Sequence, residues 1–298
     1  MATSTTATVG LLSPGDMGHS VGKVLVHWGM PVYTCLTGRS QRSADLAADA
    51  GLSVSSSLEE LVQQVDLFLS IVPPARATDV ARSIADAVQA TGTDLMYLDC
   101  NAIAPETTRE VGEIVESAGA TFVDGGIIGP PPKIDGPGPR VYVSGPAAAG
   151  IVALRDYGLD IQPIGDVVGH ASGVKMCYAA LTKGLTALGT ELLVAAEAMG
   201  LTEPLRAEFE YSQKQLLDHF ERSIPGMPPK AYRWVGEMEE IAKTFDDVGM
   251  TPRILLGAAD MYRLVGETEL AQETPENRTR GQDLKDVIEI LNGALPER

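Results

Sequence analysis

The first 165 residues alternate between two kinds of hydrophobic pattern, and few folds accept that alternation. Short apolar or β-branched runs, expected as strands, lie at Thr8–Leu12, Val32–Leu36, Leu67–Val72, Leu95–Leu98, Thr121–Val123 and Arg140–Val143. Helical patterns fall between them at Met17–His27, Gln41–Ala50, Thr78–Ala90 and Pro105–Ala118, with a shorter one at Leu58–Val62 behind a serine cap. Near-continuous apolar strands leave no polar face for water, so they predict a parallel-rich sheet covered on both sides. After Gly165 the strand pattern stops. Helices are expected over 170–199, 203–221, 231–248, 252–265 and 281–294, with breaks at Gly200, in the Pro-rich stretch 224–229, at 249–252 and in the polar stretch 267–280. The chain therefore reads as an α/β domain over 1–165 and an all-α domain over 166–298.

The first expected strand runs into Val9-Gly10-Leu11-Leu12-Ser13-Pro14-Gly15-Asp16-Met17-Gly18, and a helical pattern follows at once. A strand, a glycine-containing turn and a helix N-terminus together receive a dinucleotide pyrophosphate. Gly15 admits the phosphates, Gly18 admits close helix–strand packing, and the helix offers unpaired N–H groups. Ser13 stands where the Gly-x-Gly-x-x-Gly pattern has its first glycine. Ser13, Pro14, Gly15, Asp16, Met17 and Gly18 are the expected cofactor-binding turn of a Rossmann-type domain.

Composition narrows the partners. The chain has 40 acidic and 23 basic residues, a formal charge of −17, spread along its length. Such a surface repels nucleic acid and anionic membrane. No run looks long and apolar enough to span a bilayer, so no membrane partner is expected. Cys35, Cys100 and Cys177 are far apart, and the four histidines lack ligand spacing, so neither a disulfide framework nor a metal site is expected. Reduced thiols and an N-terminus without a basic-then-apolar pattern point to the cytoplasm.

The second strand leads into Thr37-Gly38-Arg39-Ser40-Gln41-Arg42. A reader of NAD places an acidic residue here for the ribose 2′-hydroxyl. This chain offers Arg39, Ser40 and Arg42 instead, which suit the 2′-phosphate of NADP; NAD remains open, because two solvated arginines starting a helix would look the same. Val72, Pro73 and Pro74 form a rigid turn after the next strand, at the edge of the sheet where ligands bind; they are expected beside the cofactor, and a Pro turn that simply starts the next helix is equally compatible.

Four segments in order resemble the β-hydroxyacid dehydrogenase superfamily, the group of 3-hydroxyisobutyrate and 6-phosphogluconate dehydrogenases. They are Gly10 to Gly18, Ile71-Val72-Pro73-Pro74, Asp99-Cys100-Asn101-Ala102-Ile103-Ala104-Pro105 and Gly169-His170-Ala171-Ser172-Gly173-Val174-Lys175. The resemblance implies hydride transfer between a substrate carbinol carbon and nicotinamide, with Lys175 exchanging the hydroxyl proton. Lys175 is a candidate without the resemblance too: a lysine at a helix start opposes the helix dipole and so calls for another reason to be there. Lys175, Tyr178 and Thr182 share a strip at i, i+3 and i+7. As a base near neutrality the lysine needs its proton affinity lowered; as an acid it does not.

The departures from the family are informative. Asn101 stands where many members have serine and keeps a hydrogen-bonding group for substrate or nicotinamide. Tyr178 stands where many have asparagine; it either orients the substrate oxygen or is a half-buried helix tyrosine. The family's carboxylate-binding Ser-Gly-Gly aligns with Ile128-Gly129-Pro130, where Ile128 has no donor and Pro130 no N–H. Gly126, Ile127, Ile128 and Gly129 still read as a shaped substrate loop. Tyr232 and Trp234, with Met227 and Met238, offer a larger and less polar pocket or else pack as ordinary helix residues. The expectation is an NADP-preferring oxidoreductase on a β-hydroxy acid or a bulkier, possibly aromatic alcohol. Alternatives are imine reduction, oxidative decarboxylation, and a dinucleotide-binding sensor without chemistry. A small-molecule substrate and a homodimer are the expected partners, the latter because the helical domain has apolar faces to cover.

Overall fold

The computed structural model describes residues 7–12, 14–273 and 278–296. It divides into two compact units, residues 1–176 and 177–298, and the division falls inside the long helix that begins at His170.

The first unit holds one eight-stranded sheet: β1 Val9–Leu11, β2 Val32–Cys35, β3 Ser53–Ser55, β4 Leu67–Ser70, β5 Met96–Asp99, β6 Thr121–Ile128, β7 Arg140–Ser144 and β8 Asp160–Pro163. Their order is β3-β2-β1-β4-β5-β6-β7-β8. All neighbours are parallel except β6 and β7. The order reverses between β1 and β4, which opens a crevice at their carboxyl ends. Helices α1 Asp16–His27, α2 Gln41–Asp49, α3 Leu58–Gln64, α4 Ala77–Thr91 and α5 Pro105–Ser117 cover the sheet. One core gathers Val9, Leu11, Val21, Leu25, Val32 and Leu98; a second gathers Phe68, Ile84, Tyr97, Ile103, Val111 and Phe122. A Cβ at Gly22 would meet Leu52 at 3.0 Å and Leu11 at 3.3 Å, so this glycine lets α1 lie close to β1.

Three readings of the sequence change here. The short strands β3 and β8 escape its pattern, because Ser53-Val54-Ser55 and Asp160-Ile161-Gln162-Pro163 are mostly polar. The loop expected from Gly126 to Gly129 is strand as far as Ile128, paired in register with β7 (Gly126 with Tyr142, Ile128 with Arg140). Gly125 and Gly126 sit in that strand because backbone crowds both faces: a Cβ on Gly125 would lie 2.7 Å from Asp99 O and Cys100 Sγ, and one on Gly126 2.7 Å from Ala171 O. Finally, the helix expected over 203–221 is two, α7 Thr202–Ser212 and α8 Lys214–Ser223 (with α6 His170–Ala198 before them). The chain breaks at Gln213, in the exposed run Ser212-Gln213-Lys214, where a change of direction uncovers no apolar surface.

The second unit is completed by α9 Ala231–Asp247, α10 Arg253–Gly266 and α11 Leu284–Gly293. Leu217, Phe220, Met227, Met238, Ile241, Tyr262, Val265, Val287 and Leu291 fill its interior. A Cβ at Gly189 of α6 would collide with the Phe220 ring, so that glycine is the seat of the ring. By length and composition α6 could cross a membrane, with a mean hydropathy of 1.2, contrary to the sequence reading. Interspersed Thr and Gly residues hide this from a search for consecutive apolar residues. Thr186, Ala187, Thr190 and Val194 on α6 are buried within the protein.

Candidate active site

The carboxyl edge of the sheet collects the expected site residues of the first unit. At β1, Pro14 is buried and Gly15 is the N-cap of α1, with extended backbone and no capping side chain. The first-turn N–H groups of α1 therefore lack a side-chain cap at Gly15, which fits an anion at this helix start. Gly18 is buried, Met17 packs on the core, and Ser13 lies outside the described residues. Asp16 would repel a phosphate, but its carboxylate accepts from Arg42 Nη2 at 2.7 Å. Arg42 thus offsets the Asp16 carboxylate at the α1 terminus.

At β2, Ser40 caps α2 by accepting from Ser43 N. Arg39 is half-buried and lines a cleft of about 330 Å³ together with Thr37, Ser57, Glu59, Arg76 and Asp79. Burial, and then the nearby Arg76, lower the proton affinity of the Arg39 guanidinium below its usual range. Arg76 is paired with Asp79 at 3.5 Å. Arg39 has no carboxylate partner among the described residues. A half-buried cation repelled by a second cation is a setting that an anion would relieve. Arg76 belongs to a 3₁₀ turn, Pro74–Arg76, that follows Val72 and Pro73, so the Pro-Pro turn presents a cation to this cleft.

At β4 and β5 the structure is dry and polar. Asn101 is 2% exposed, and its hydrogen bonds are made inside the protein. Its Nδ2 donates to Asp99 Oδ2 at 2.7 Å and Ser70 Oγ at 3.0 Å, and its Oδ1 accepts from Val72 N at 2.7 Å. Asn101 ties the end of β4 to the end of β5. Asp99, fully buried, accepts also from Asn101 N at 2.8 Å. Loss of water raises the Asp99 carboxyl to about 7; the Asn101 hydrogen bonds and Lys175 pull the other way, and Asp124 pushes it further up.

Lys175 lies on α6, and its Nζ donates to Cys100 O at 3.1 Å, which places an ammonium beside Asp99 at the end of β5. Burial pushes the Cys100 thiol well up, so it is no nucleophile. On β6, Asp124 stands in register with Asp99 and is equally buried. It accepts from Ser144 Oγ, Gly169 N, Ala171 N, Ser172 N and Ser172 Oγ. A carboxyl group with that donor set at a helix start fixes the helix. Asp99, Asp124 and Arg76 were not singled out in the sequence. The available signal was an aspartate closing an apolar strand run, in Tyr97-Leu98-Asp99 and again in Phe122-Val123-Asp124.

The remaining expected residues are placed differently. Gly126 faces Ala171 O and the Lys175 Cβ, so it is a point of strand–helix contact. Ile127 is in the core, whereas Ile128 is half-buried and Gly129, at φ 134°, is exposed. In the second unit Tyr178 and Tyr232 are exposed. Trp234 packs edge-on to Tyr262 and lies under the Lys183 ammonium, which pairs with Glu237 at 2.8 Å. Met227 and Met238 are fully buried among the core residues, the packing role that was the second of the two uses considered for them.

Two family models match the chain. The NAD binding domain of 6-phosphogluconate dehydrogenase matches residues 7–149, and a domain of unknown function, DUF1932, matches residues 196–265. An uncharacterised 28.5 kDa protein of Methanothermus fervidus is 27% identical over 237 residues, 79% of this chain and 90% of the relative. Among solved structures, a conserved protein of unknown function, described as similar to 3-hydroxyacid dehydrogenases, is 28% identical with a TM-score of 0.63. The match covers 87% of this chain and 99% of that one. The 3-hydroxyisobutyrate dehydrogenase of Mycobacterium tuberculosis, solved with L-serine, shares the fold at 20% identity and a TM-score of 0.69, over 96% and 99% of the two chains.

Proposed function

The chain belongs to the β-hydroxyacid dehydrogenase superfamily, with a divergent C-terminal domain, and on that premise we propose that it is an oxidoreductase interconverting an alcohol and its carbonyl. In this reading NADP(H) is the preferred cofactor and Lys175 the general acid and base. The observation that carries it is the Lys175 ammonium, held by Cys100 O at the carboxyl edge of β5. Bound nicotinamide supplies the hydride acceptor or donor. The protein's part is to hold a proton at Lys175 Nζ, to give it to a carbonyl oxygen on reduction and to take it from a hydroxyl on oxidation. An ionised Asp99 favours the ammonium; a protonated Asp99 does not.

The preference for NADP(H) rests on Arg39, the half-buried guanidinium without a carboxylate partner among the described residues, seconded by Arg76 in the same cleft. The family's carboxylate grip has no equivalent at Ile128-Gly129-Pro130, where Ile128 continues β6 opposite Arg140. This favours a bulkier or neutral alcohol over a small hydroxy acid. The test is NADPH consumption against aldehydes, ketones and keto acids, with Lys175→Met alongside. Removing a positioned acid–base group is expected to cost about 10²–10⁴-fold in kcat. Unchanged turnover in the variant overturns the lysine assignment, and tight NADPH binding without turnover on any substrate favours the sensor reading.

The proposal includes a homodimer. Tyr178, Leu181 and Leu188 leave one side of α6 exposed, with Leu181 at 65%, and a second copy would cover that stripe. Light scattering at micromolar concentration is expected to give twice the chain mass; the mass of one chain refutes this part.

A further inference from the structure

We propose that Asp124 is the positioning residue of Lys175: it clamps the first turn of α6 so that the lysine, one turn on, is aimed at the end of β5. The inference rests on the reading of Lys175 as the acid–base group.

Asp124 has 0% exposure and bonds in three directions. Its Oδ2 accepts from Ser144 Oγ on β7 at 2.8 Å, from Gly169 N at 2.8 Å and from Ala171 N at 3.0 Å. Both oxygens accept from Ser172 N at 3.2 Å, and Oδ1 accepts from Ser172 Oγ. The buried N–H groups of Gly169 and Ser172 would otherwise lose this acceptor, whereas Ala171 N also donates to Ser144 Oγ at 3.0 Å. Ser172 Oγ also meets Thr108 Oγ1 at 2.8 Å, which ties the same turn to α5.

The geometry connects this clamp to the lysine. Ala171 and Lys175 are four apart and share a helix face. Asp124 and Gly126 are two apart on β6 and share a sheet face. At Gly126 an added Cβ would meet Ala171 O at 2.7 Å and the Lys175 Cβ at 3.2 Å. One strand therefore grips the helix by a carboxylate and, two residues on, admits its backbone by a glycine. Lys175 leaves the helix at that contact and reaches Cys100 O. Because β6 is hydrogen-bonded to β5 with Asp124 opposite Asp99, the grip is referenced to the strand that runs directly into the acceptor residue Cys100.

The test is a double-mutant cycle on NADPH-dependent turnover. Asp124→Asn keeps the shape but turns an amide toward N–H donors. It is expected to lower kcat about 10–100-fold, the scale of an ångström of misplacement, with KM for NADPH changed less than about 2-fold. In a Lys175→Met background it is expected to add no further loss. The same factor lost in both backgrounds, or a matching rise in KM for NADPH, overturns the inference and leaves Asp124 a fold staple. Wild-type turnover in Lys175→Met alone overturns the lysine reading, and this inference with it. If Asp124→Asn does not fold, Ser172→Ala removes one donor only. Its expected loss of about 3-fold must likewise vanish in the Lys175→Met background, and its persistence there overturns the proposal.

Discussion

At the carboxyl ends of β5 and β6, charge is buried and fully engaged; beyond the carboxyl end of β2 it is half-exposed and partly unmatched. Asp99 and Asp124 stand side by side, buried from solvent, and nearly every donor around them is a backbone N–H or a short side chain. Arg39, Arg42 and Arg76 reach their places on long, flexible stems. A dry site can hold a reacting group still, because a misplaced donor there loses its only partner. A wet cleft can only add attraction, which solvent screens. The first end suits chemistry, and the second suits the choice between two cofactors.

The sharpest way to break this contrast is pH. The Asp99 carboxyl stands at about 7 in the folded protein, against an ordinary value of 3.8. Below pH 4 both folded and unfolded chains carry the proton, and nothing is lost. Between 4 and 7 the unfolded chain ionises while the folded one does not, so stability falls by about 1.4 kcal/mol per unit. Above 7 both are ionised, and the whole cost, on the order of 4 kcal/mol, is constant. Asp99→Asn is expected to remove that slope and add a pH-independent offset, as read from urea midpoints between pH 4 and 8. Identical slopes in both proteins would mean that the Asp99 carboxyl is not raised in the folded chain.

Smaller effects are expected at the other end, and they sharpen it. Arg39→Ala should raise KM for NADPH about 10–100-fold, the worth of a charge-assisted hydrogen bond, and leave NADH within about 3-fold. Arg42→Ala should weaken both nucleotides alike, by no more than about 5-fold, because its ion pair with Asp16 is exposed. Loss of NADPH selectivity in Arg42→Ala rather than in Arg39→Ala would reverse the two roles.

Much of this was legible in the chain itself. The turn Gly10 to Gly18, the Pro-Pro turn and the long helix bearing Lys175 each announce themselves within a dozen residues, because glycine, proline and apolar spacing act locally. Arg39 and Arg42 were equally good candidates on that evidence. Only the packing of α1 beside α2 gave Arg42 to Asp16, 26 positions away. Asn101 carried the right chemistry for a ligand contact, yet the fold set it between Ser70 and Asp99. Gly125 and Gly126 resembled a loop because their reason for being glycine lies on other elements, at Cys100 and Ala171.

Local pattern therefore determined the alternating architecture, the dinucleotide turn and the candidate lysine. Tertiary structure decided which polar groups are buried, who satisfies them and which arginine pairs with Asp16. A side-chain period records which face turns inward. It holds no record of what waits there, and Asp124 meets its helix only after 45 residues of chain have folded back onto β6.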